Sequence, residues 1–577
     1  MTTATSMTTT TTAAYERDLT PDLAEPDRPP QRTRSAVDLA RRFYGALRHE
    51  ILIIAVLAGS FLARWLVADR NSYWLDELYS VAIYGIWNPS VGAAVERLAN
   101  TSVHPPLYQA ILYVWMDLFG DSERSSSSLS NLAITLATLF LYLLVRDTLS
   151  RRVALWSAVT FALMYSPMYY GLETRSYAQS IFLATLSSYA LVRLMRVGAD
   201  RGWRRAMLSP TAALLYGANV ALLLTHYFNA FFYVAQGVIA GIFVLCALPR
   251  RRWLAGLGAV AVMYAVQGAT FTLAWGHVLL GTYRKSAGSY SVEEEGLQTP
   301  WDLLKMTVTP NIDPPWPIWV IALLVVAVVV ARAGRRLSGG RELTSDRQAA
   351  WTVLYLFGWL VLPLVVLVLA FLITGTARYS ARYVLYAMPA LAPLVVITVG
   401  EAARLVGAGW RRVRGRGVDA AVLTDVALII VIVTLVIPGS LRGVSWTPSD
   451  DYRGTAQRIV ATIESDPGSS YVLYDTTFRD ISVLDYYLAR YSDEVRVDGI
   501  IRVGQERVDQ GFAFESGRTE IEQHDFLIVA FIHHRITGFP NALRRLTERY
   551  PVYFRQVDEK GKGLIIFRIH ASSEGSR

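Results

Sequence analysis

The sequence predicts a polytopic α-helical membrane protein with a soluble α/β domain at its C-terminal end. Three observations carry this reading. The chain is 53% hydrophobic and 18% charged, with a mean hydropathy of +0.31, which is too apolar for an ordinary soluble enzyme. The apolar residues gather into runs of about 17–23, the length that crosses a hydrocarbon core of about 30 Å. The basic residues cluster in short loops between those runs, so the net charge of +9 reflects membrane topology rather than a nucleic-acid footprint. The lone Cys246 lies in an apolar run, which excludes an intrachain disulfide and a thiol-ligand metal cluster.

Residues 1–45 are rich in Thr and then Pro and have almost nothing to bury, so they read as a disordered cytoplasmic tail. Arg41, Arg42 and Arg48 precede an apolar run that is long and lacks a small-residue cleavage site, the pattern of an uncleaved signal anchor with its amino terminus inside. The apolar runs fall at 51–68, 129–145, 153–171, 176–195, 210–225, 228–248, 254–275, 316–331, 351–373, 381–400 and 420–438, eleven spans within a membrane domain of 46–438.

One further run, 104–120, decides the topology. If it crossed, Arg146, Arg151, Arg152 and every later basic loop would lie outside. Read as a juxtamembrane helix in the outer leaflet, opened by His104-Pro105-Pro106 as Pro allows in a first turn, it restores the positive-inside rule throughout. The outer segments are then 69–128, 172–175, 226–227, 276–315, 374–380 and an extracytoplasmic domain of 439–577. In that tail the short apolar segments 471–474 and 526–531 read as buried strands, alternating with helical patterns at 451–465 and 540–550. The whole reads as a multi-pass protein of the plasma membrane.

The polar residues at the outer ends of the spans carry the chemistry. Asp76 and Glu77 stand amid Tyr73, Trp74 and Tyr79 just past the first span, where a partly desolvated carboxylate could take a proton from an acceptor hydroxyl. The bland alternative is an interfacial aromatic belt with its acids in water. His104 and Tyr108 sit at the head of the 104–120 helix, whose free N–H groups suit a phosphate or simply begin a helix. Glu173, Arg175 and Tyr177 link two spans, and an outside arginine either meets a phosphate or pairs with Glu173. Arg378, Arg382 and Tyr383 repeat that choice between anion binding and lipid headgroups. His226-Tyr227 reads more readily as a structural hydrogen-bond partner. Arg64, in the outer half of the first span, could snorkel or point into the site.

These residues resemble the GT-C membrane glycosyltransferases, specifically the GT39-like branch of protein O-mannosyltransferases and the aminoarabinose transferase of lipid A. The matching features are Asp76-Glu77, His104-Pro105-Pro106-Leu107, Ser166-Pro167 followed by Glu173-Thr-Arg175-Ser-Tyr177-Ala, and Arg382-Tyr383 followed by Pro389. The resemblance is strong over about 50–200 and thin elsewhere. It implies a polyprenyl-phosphate sugar donor, used on the outer face, and transfer with inversion to an acceptor hydroxyl on a glycan, lipid or protein. It implies Asp76 as the catalytic base with Glu77 assisting, and a donor phosphate held by Arg175, Arg382 and His104. Tyr73, Trp74, Tyr108, Glu173, Tyr177, His226, Tyr227, Arg378 and Tyr383 would line the pocket. The 276–315 segment, with Tyr283, Arg284, Lys285 and Glu293–Glu295, would help cover the site or meet the acceptor. Relatives that use pyrophosphate donors carry extra acidic metal ligands. Here only Glu173 follows the third span, so a divalent metal is compatible but not indicated, and no cofactor is implied.

Two rival classes remain. A lipid or solute transporter would place ionisable groups near the bilayer midplane and show paired repeats, and neither is evident. A scaffold displaying the tail domain explains neither the acid pair nor the outward arginines.

Overall fold

The computed structural model describes residues 36–102, 104–286, 308–312, 316–338, 344–374, 381–414, 419–445, 450–477, 482–502, 521–532, 546–557 and 562–569. Arg378, Glu293–Glu295 and most of the helical pattern expected at 540–550 therefore lie outside the described residues.

Eight helices among the described residues are long and apolar enough to cross a membrane, from Glu123–Thr148 to Ala420–Ser445. The protein is a multi-pass α-helical membrane protein. The other three predicted runs are also helical but differ in form. The first is carried by the Ala36–Trp65 helix, and 210–225 becomes the shorter Pro210–Leu223 helix. The run 153–171 breaks into Arg151–Ala162 and Tyr165–Tyr170, with Met164 extended between them. Pro167 accounts for the break. A proline clashes with the carbonyl four residues upstream, so an unbroken helix through Leu163 is forbidden, while Pro167 itself fits the first turn of the second piece.

The 104–120 run forms Leu107–Phe119, a helix of 13 residues. At 1.5 Å per residue this is about 20 Å, too short for a hydrocarbon core of about 30 Å. Its Gln109 donates to the carbonyls of Ser80 at 2.6 Å and Tyr84 at 2.9 Å, which ties the helix to the π-helical segment Tyr79–Ile86.

Two expected boundaries move. The segment predicted as an outer loop from 276 begins as helix, because Trp253–Ser286 continues through it. The last span does not stop at 438 but runs on as Ile437–Ser445. That extension packs on Tyr165–Tyr170, and a Cβ at Gly439 would stand 2.8 Å from the Pro310 carbonyl oxygen, so only glycine permits the approach.

Arg64 neither snorkels nor enters the site. It is fully buried, its Nε donating to Asn131 at 2.7 Å and its Nη2 to Thr135 at 3.2 Å. Elsewhere between the helices, Ser187, Asn219, Gln236 and Gln267 form a buried network, an uncharged way to satisfy polar groups away from water.

The tail holds a five-stranded sheet in the order β2-β1-β3-β5-β4, with β1 Tyr471–Thr477, β2 Gly499–Arg502, β3 Phe526–Phe531, β4 Val552–Val557 and β5 Gly563–Arg568. β1 pairs parallel with β2 and β3, and β5 pairs antiparallel with β3 and β4. Alternation along β3 sends Leu527 and Val529 to one face and Ile528 and Ala530 to the other. The Ile528 face joins a core that also contains Tyr73, Leu75, Leu78, Leu112 and Met116. The sheet and the 73–116 segment therefore share one hydrophobic cluster.

Candidate active site

Burial divides the acid pair. In the single turn Leu75–Leu78, Leu75 and Leu78 are fully buried at i, i+3, which fixes the turn against the shared core. Glu77 is carried inward with them, while the Asp76 side chain keeps 32% of its exposure. Glu77 accepts from the backbone N–H of Thr174 at 2.6 Å and of Trp74 at 3.2 Å, the second being half of a capping box. It thereby joins the turn to the 171–176 connection that carries Arg175.

Arg175 reaches back across the same junction. Its Nη1 donates to the Asp76 carbonyl at 2.9 Å and to Ser80 Oγ at 3.0 Å, and its Nη2 stands 3.8 Å from Asp76 Oδ2. Arg382 approaches the same carboxylate oxygen from the other side, at 3.5 Å. Asp76 thus lies between two guanidinium groups contributed by segments 99 and 306 residues away. The Nε–H groups of both arginines are buried and have no hydrogen-bond partner among the described residues.

Two histidines complete this layer. Arg175 Nη2 lies 3.3 Å from His104 Nε2. A guanidinium only donates, so His104 accepts there and carries its proton on Nδ1. Burial, followed by the charges of Arg175 and His226, holds His104 well below the usual imidazole range. His226 is pushed down to about 3 by burial and by the two arginines. Its Nδ1 accepts from the Phe228 N–H at 3.3 Å, which leaves Nε2 as the protonated nitrogen, buried and without a partner among the described residues. The rings of His104, Tyr177 and Tyr383 lie 5.4, 5.9 and 5.6 Å from that of His226, and Tyr383 stacks on Phe228 at 4.3 Å.

Glu77 and Glu173 form a second acidic layer behind Asp76. Both are buried, and burial raises both carboxyls, Glu77 to about 8 with the charge of Glu173 as its second cause. The Trp74 indole faces Glu173, yet neither the indole Nε1 nor Glu173 Oε2 completes a hydrogen bond. These groups line a cavity of about 50 Å³ together with Glu123. No group of three or more His, Cys, Asp or Glu among the described residues is arranged to hold a metal ion.

The structure thus brings together Asp76, His104, Arg175, Tyr177, His226, Arg382 and Tyr383, with Trp74, Glu77 and Glu173 behind them. Tyr108 is buried near Arg175. Two predicted pocket residues direct their hydroxyls elsewhere. The Tyr73 hydroxyl donates to the Asp121 carbonyl at 2.9 Å and meets Ser126, because its ring is a wedge in the shared core. The Tyr227 hydroxyl accepts from Trp275 at 3.0 Å.

Sequence reasoning missed the support supplied by the tail. The Tyr487 hydroxyl accepts the Tyr73 N–H at 2.9 Å and donates to Glu123 at 2.6 Å, and Arg453 and Arg490 pair with Glu123 at 3.2 and 3.6 Å. No local signal pointed to these cations, because acids such as Asp121 and Glu123 are ordinary at a helix start.

Residues 103–275 match the family model described as dolichyl-phosphate-mannose-protein mannosyltransferase. The matched stretch contains His104, Glu173, Arg175, Tyr177 and His226. The match spans 173 of the chain's 577 residues. Among solved structures, the chain is similar to ArnT from Cupriavidus metallidurans in the apo state, at 12% identity over 92% of this chain and 100% of that one, with a TM-score of 0.49. The same protein bound to undecaprenyl phosphate aligns at 13% identity over 91% and 99%, TM-score 0.46. The oligosaccharyltransferase AglB from Archaeoglobus fulgidus aligns at 12% identity over 83% of this chain and 69% of that chain, TM-score 0.42. No curated protein matches the chain in sequence.

Proposed function

We propose that this glycosyltransferase moves a sugar from a polyprenyl-phosphate donor to an acceptor hydroxyl, with inversion, on the outer face of the plasma membrane. The observation that carries the reading is the position of Asp76 beside both Arg175 and Arg382, whose buried Nε–H groups have no partner among the described residues. Buried donors without acceptors are costly, and a phosphate supplies the acceptors they lack. The name of the matched family points to the same donor class.

The contacts from the two guanidiniums to the Asp76 carboxylate, at 3.5 and 3.8 Å, are long for charge-assisted hydrogen bonds. A donor phosphate competes for both arginines and draws them off Asp76. The carboxylate is then free to meet the acceptor hydroxyl at the moment the donor is in place. Asp76 takes the proton of the acceptor hydroxyl, whose oxygen attacks the anomeric carbon. The bond from that carbon to the phosphate oxygen breaks, and the arginines stabilise the charge that develops on the departing polyprenyl phosphate. His226, neutral with Nε2–H free, donates to the phosphate or to a sugar hydroxyl. Glu77 positions the Asp76 turn rather than acting on substrate. The Arg-rich loops support a reading with the amino terminus inside and this site outside.

The test is turnover. Purified protein is incubated with a panel of radiolabelled polyprenyl-phosphate sugars and an envelope extract as acceptor. Transfer from at least one donor, lost in Asp76→Asn, is expected. Wild-type activity in that variant would remove Asp76 from the role of base.

A further inference from the structure

The ends of the helices farthest from Asp76 enclose a second cavity, of about 530 Å³. Arg382 and Arg404 belong to one helical span, and twenty-two residues at 1.5 Å each separate them by roughly 33 Å, about one hydrocarbon thickness. The rim of this cavity carries Arg152, Arg332, Arg336 and Arg404, with Glu401 as the one acid lining it among the described residues. Its wall, formed by Val353, Val396 and Leu428 among others, is apolar.

The charges do not balance. Glu401 serves both Arg332 and Arg404, and Arg152 pairs with Asp425 at 2.6 Å. Arg336 is exposed and has no hydrogen-bond or ion-pair partner among the described residues. Two positive charges are in excess, and both nearby carboxylates are already engaged. The site therefore attracts an anion and offers nothing to a quaternary ammonium. A free inorganic anion would leave the apolar wall unused, whereas a phospholipid uses both halves. Basic pockets between membrane helices take anionic headgroups for this reason.

We propose that this cavity binds an anionic phospholipid, its phosphate at Arg336 between Arg332 and Arg152 and an acyl chain along Val353, Val396 and Leu428. The site is separate from the one that handles the sugar donor. Full-length protein in detergent is mixed with equal amounts of phosphatidylglycerol and phosphatidylcholine, and bound lipid is counted by native mass spectrometry. The expected preference for phosphatidylglycerol is about tenfold. Arg336→Gln, which breaks no contact, reduces that preference several-fold at unchanged melting temperature. Arg204→Gln, an equal loss of charge outside the cavity, leaves it intact, and soluble glycerophosphate does not displace the lipid. Equal binding of the two lipids, an unaffected Arg336→Gln protein, an equal effect of Arg204→Gln, or displacement by glycerophosphate would each overturn the proposal.

Discussion

At the Asp76 end of the helix bundle, Arg175 keeps 11% of its side-chain exposure and Arg382 34%, and both turn to one carboxylate. At the opposite end, Arg152, Arg332 and Arg404 keep 42, 46 and 70%, and their partners Asp425 and Glu401 lie on the Ala420–Val431 and Met388–Arg414 helices. Ion pairs as exposed as these contribute about 0–1 kcal/mol each and are screened by salt. Burial changes the use of the same side chain. One guanidinium held out of water and a second part-buried, each with a buried Nε–H still unspent, form a fixed field around a point where charge can develop. The exposed cluster can only attract and retain.

Several substitutions would break or sharpen this contrast. Asp76→Asn is expected to cost the most, about 10²–10⁴-fold in sugar transfer with membrane insertion and melting temperature preserved. Arg175→Ala should weaken donor-phosphate binding by about 10–100-fold, the worth of one or two charge-assisted hydrogen bonds, when donor affinity is titrated directly. Unchanged affinity would return Arg175 to a purely structural pairing with the Asp76 turn. Tyr487→Phe removes a hydroxyl that bridges Tyr73 and Glu123, and should cost about 1 kcal/mol of stability. A few-fold fall in kcat with donor KM unchanged would mark it as a positioning residue.

The pH response follows from Glu77, whose folded value of about 8 lies above that of an unfolded carboxyl. Between about 4.5 and 8 the folded protein holds the extra proton, so stability declines as pH rises across that window. Glu173, shifted in the same direction, adds to the slope. Glu77→Gln should flatten it when melting temperature is compared at pH 5 and pH 8. At the far end, Arg404→Gln should change sugar transfer by less than about twofold, as for an exposed ion pair. A large loss there would mean that the two arginine clusters are coupled.

Much of this arrangement was legible in the sequence because membranes enforce it. Apolar runs of spanning length declare themselves, and ionisable residues at helix ends are too costly to be incidental, which is how Asp76, His104, Arg175 and Arg382 emerged. Side-chain direction was less visible. Tyr73 and Tyr227 stand beside site residues in sequence, yet they turn to Asp121 and Trp275. Arg64 finds Asn131 and Thr135 on a neighbouring helix, a choice that no periodicity encodes. The tail's hold on Glu123 joins residues 330 and more positions apart, beyond the reach of any local pattern.

The shared core of Tyr73, Leu75 and Leu78 with Ile528, Leu564 and Ile566 also sets a timetable. The Asp76 turn leaves the ribosome nearly five hundred residues before the strand that completes its packing. At about 5–20 residues per second, that is roughly 25–100 s during which the reactive loop exists without its foundation. A chain interrupted before the last strand would keep its helices and lack the packing that completes the Asp76 turn. Biosynthesis thus has a built-in sequence of events, in which the Asp76 turn is secured last.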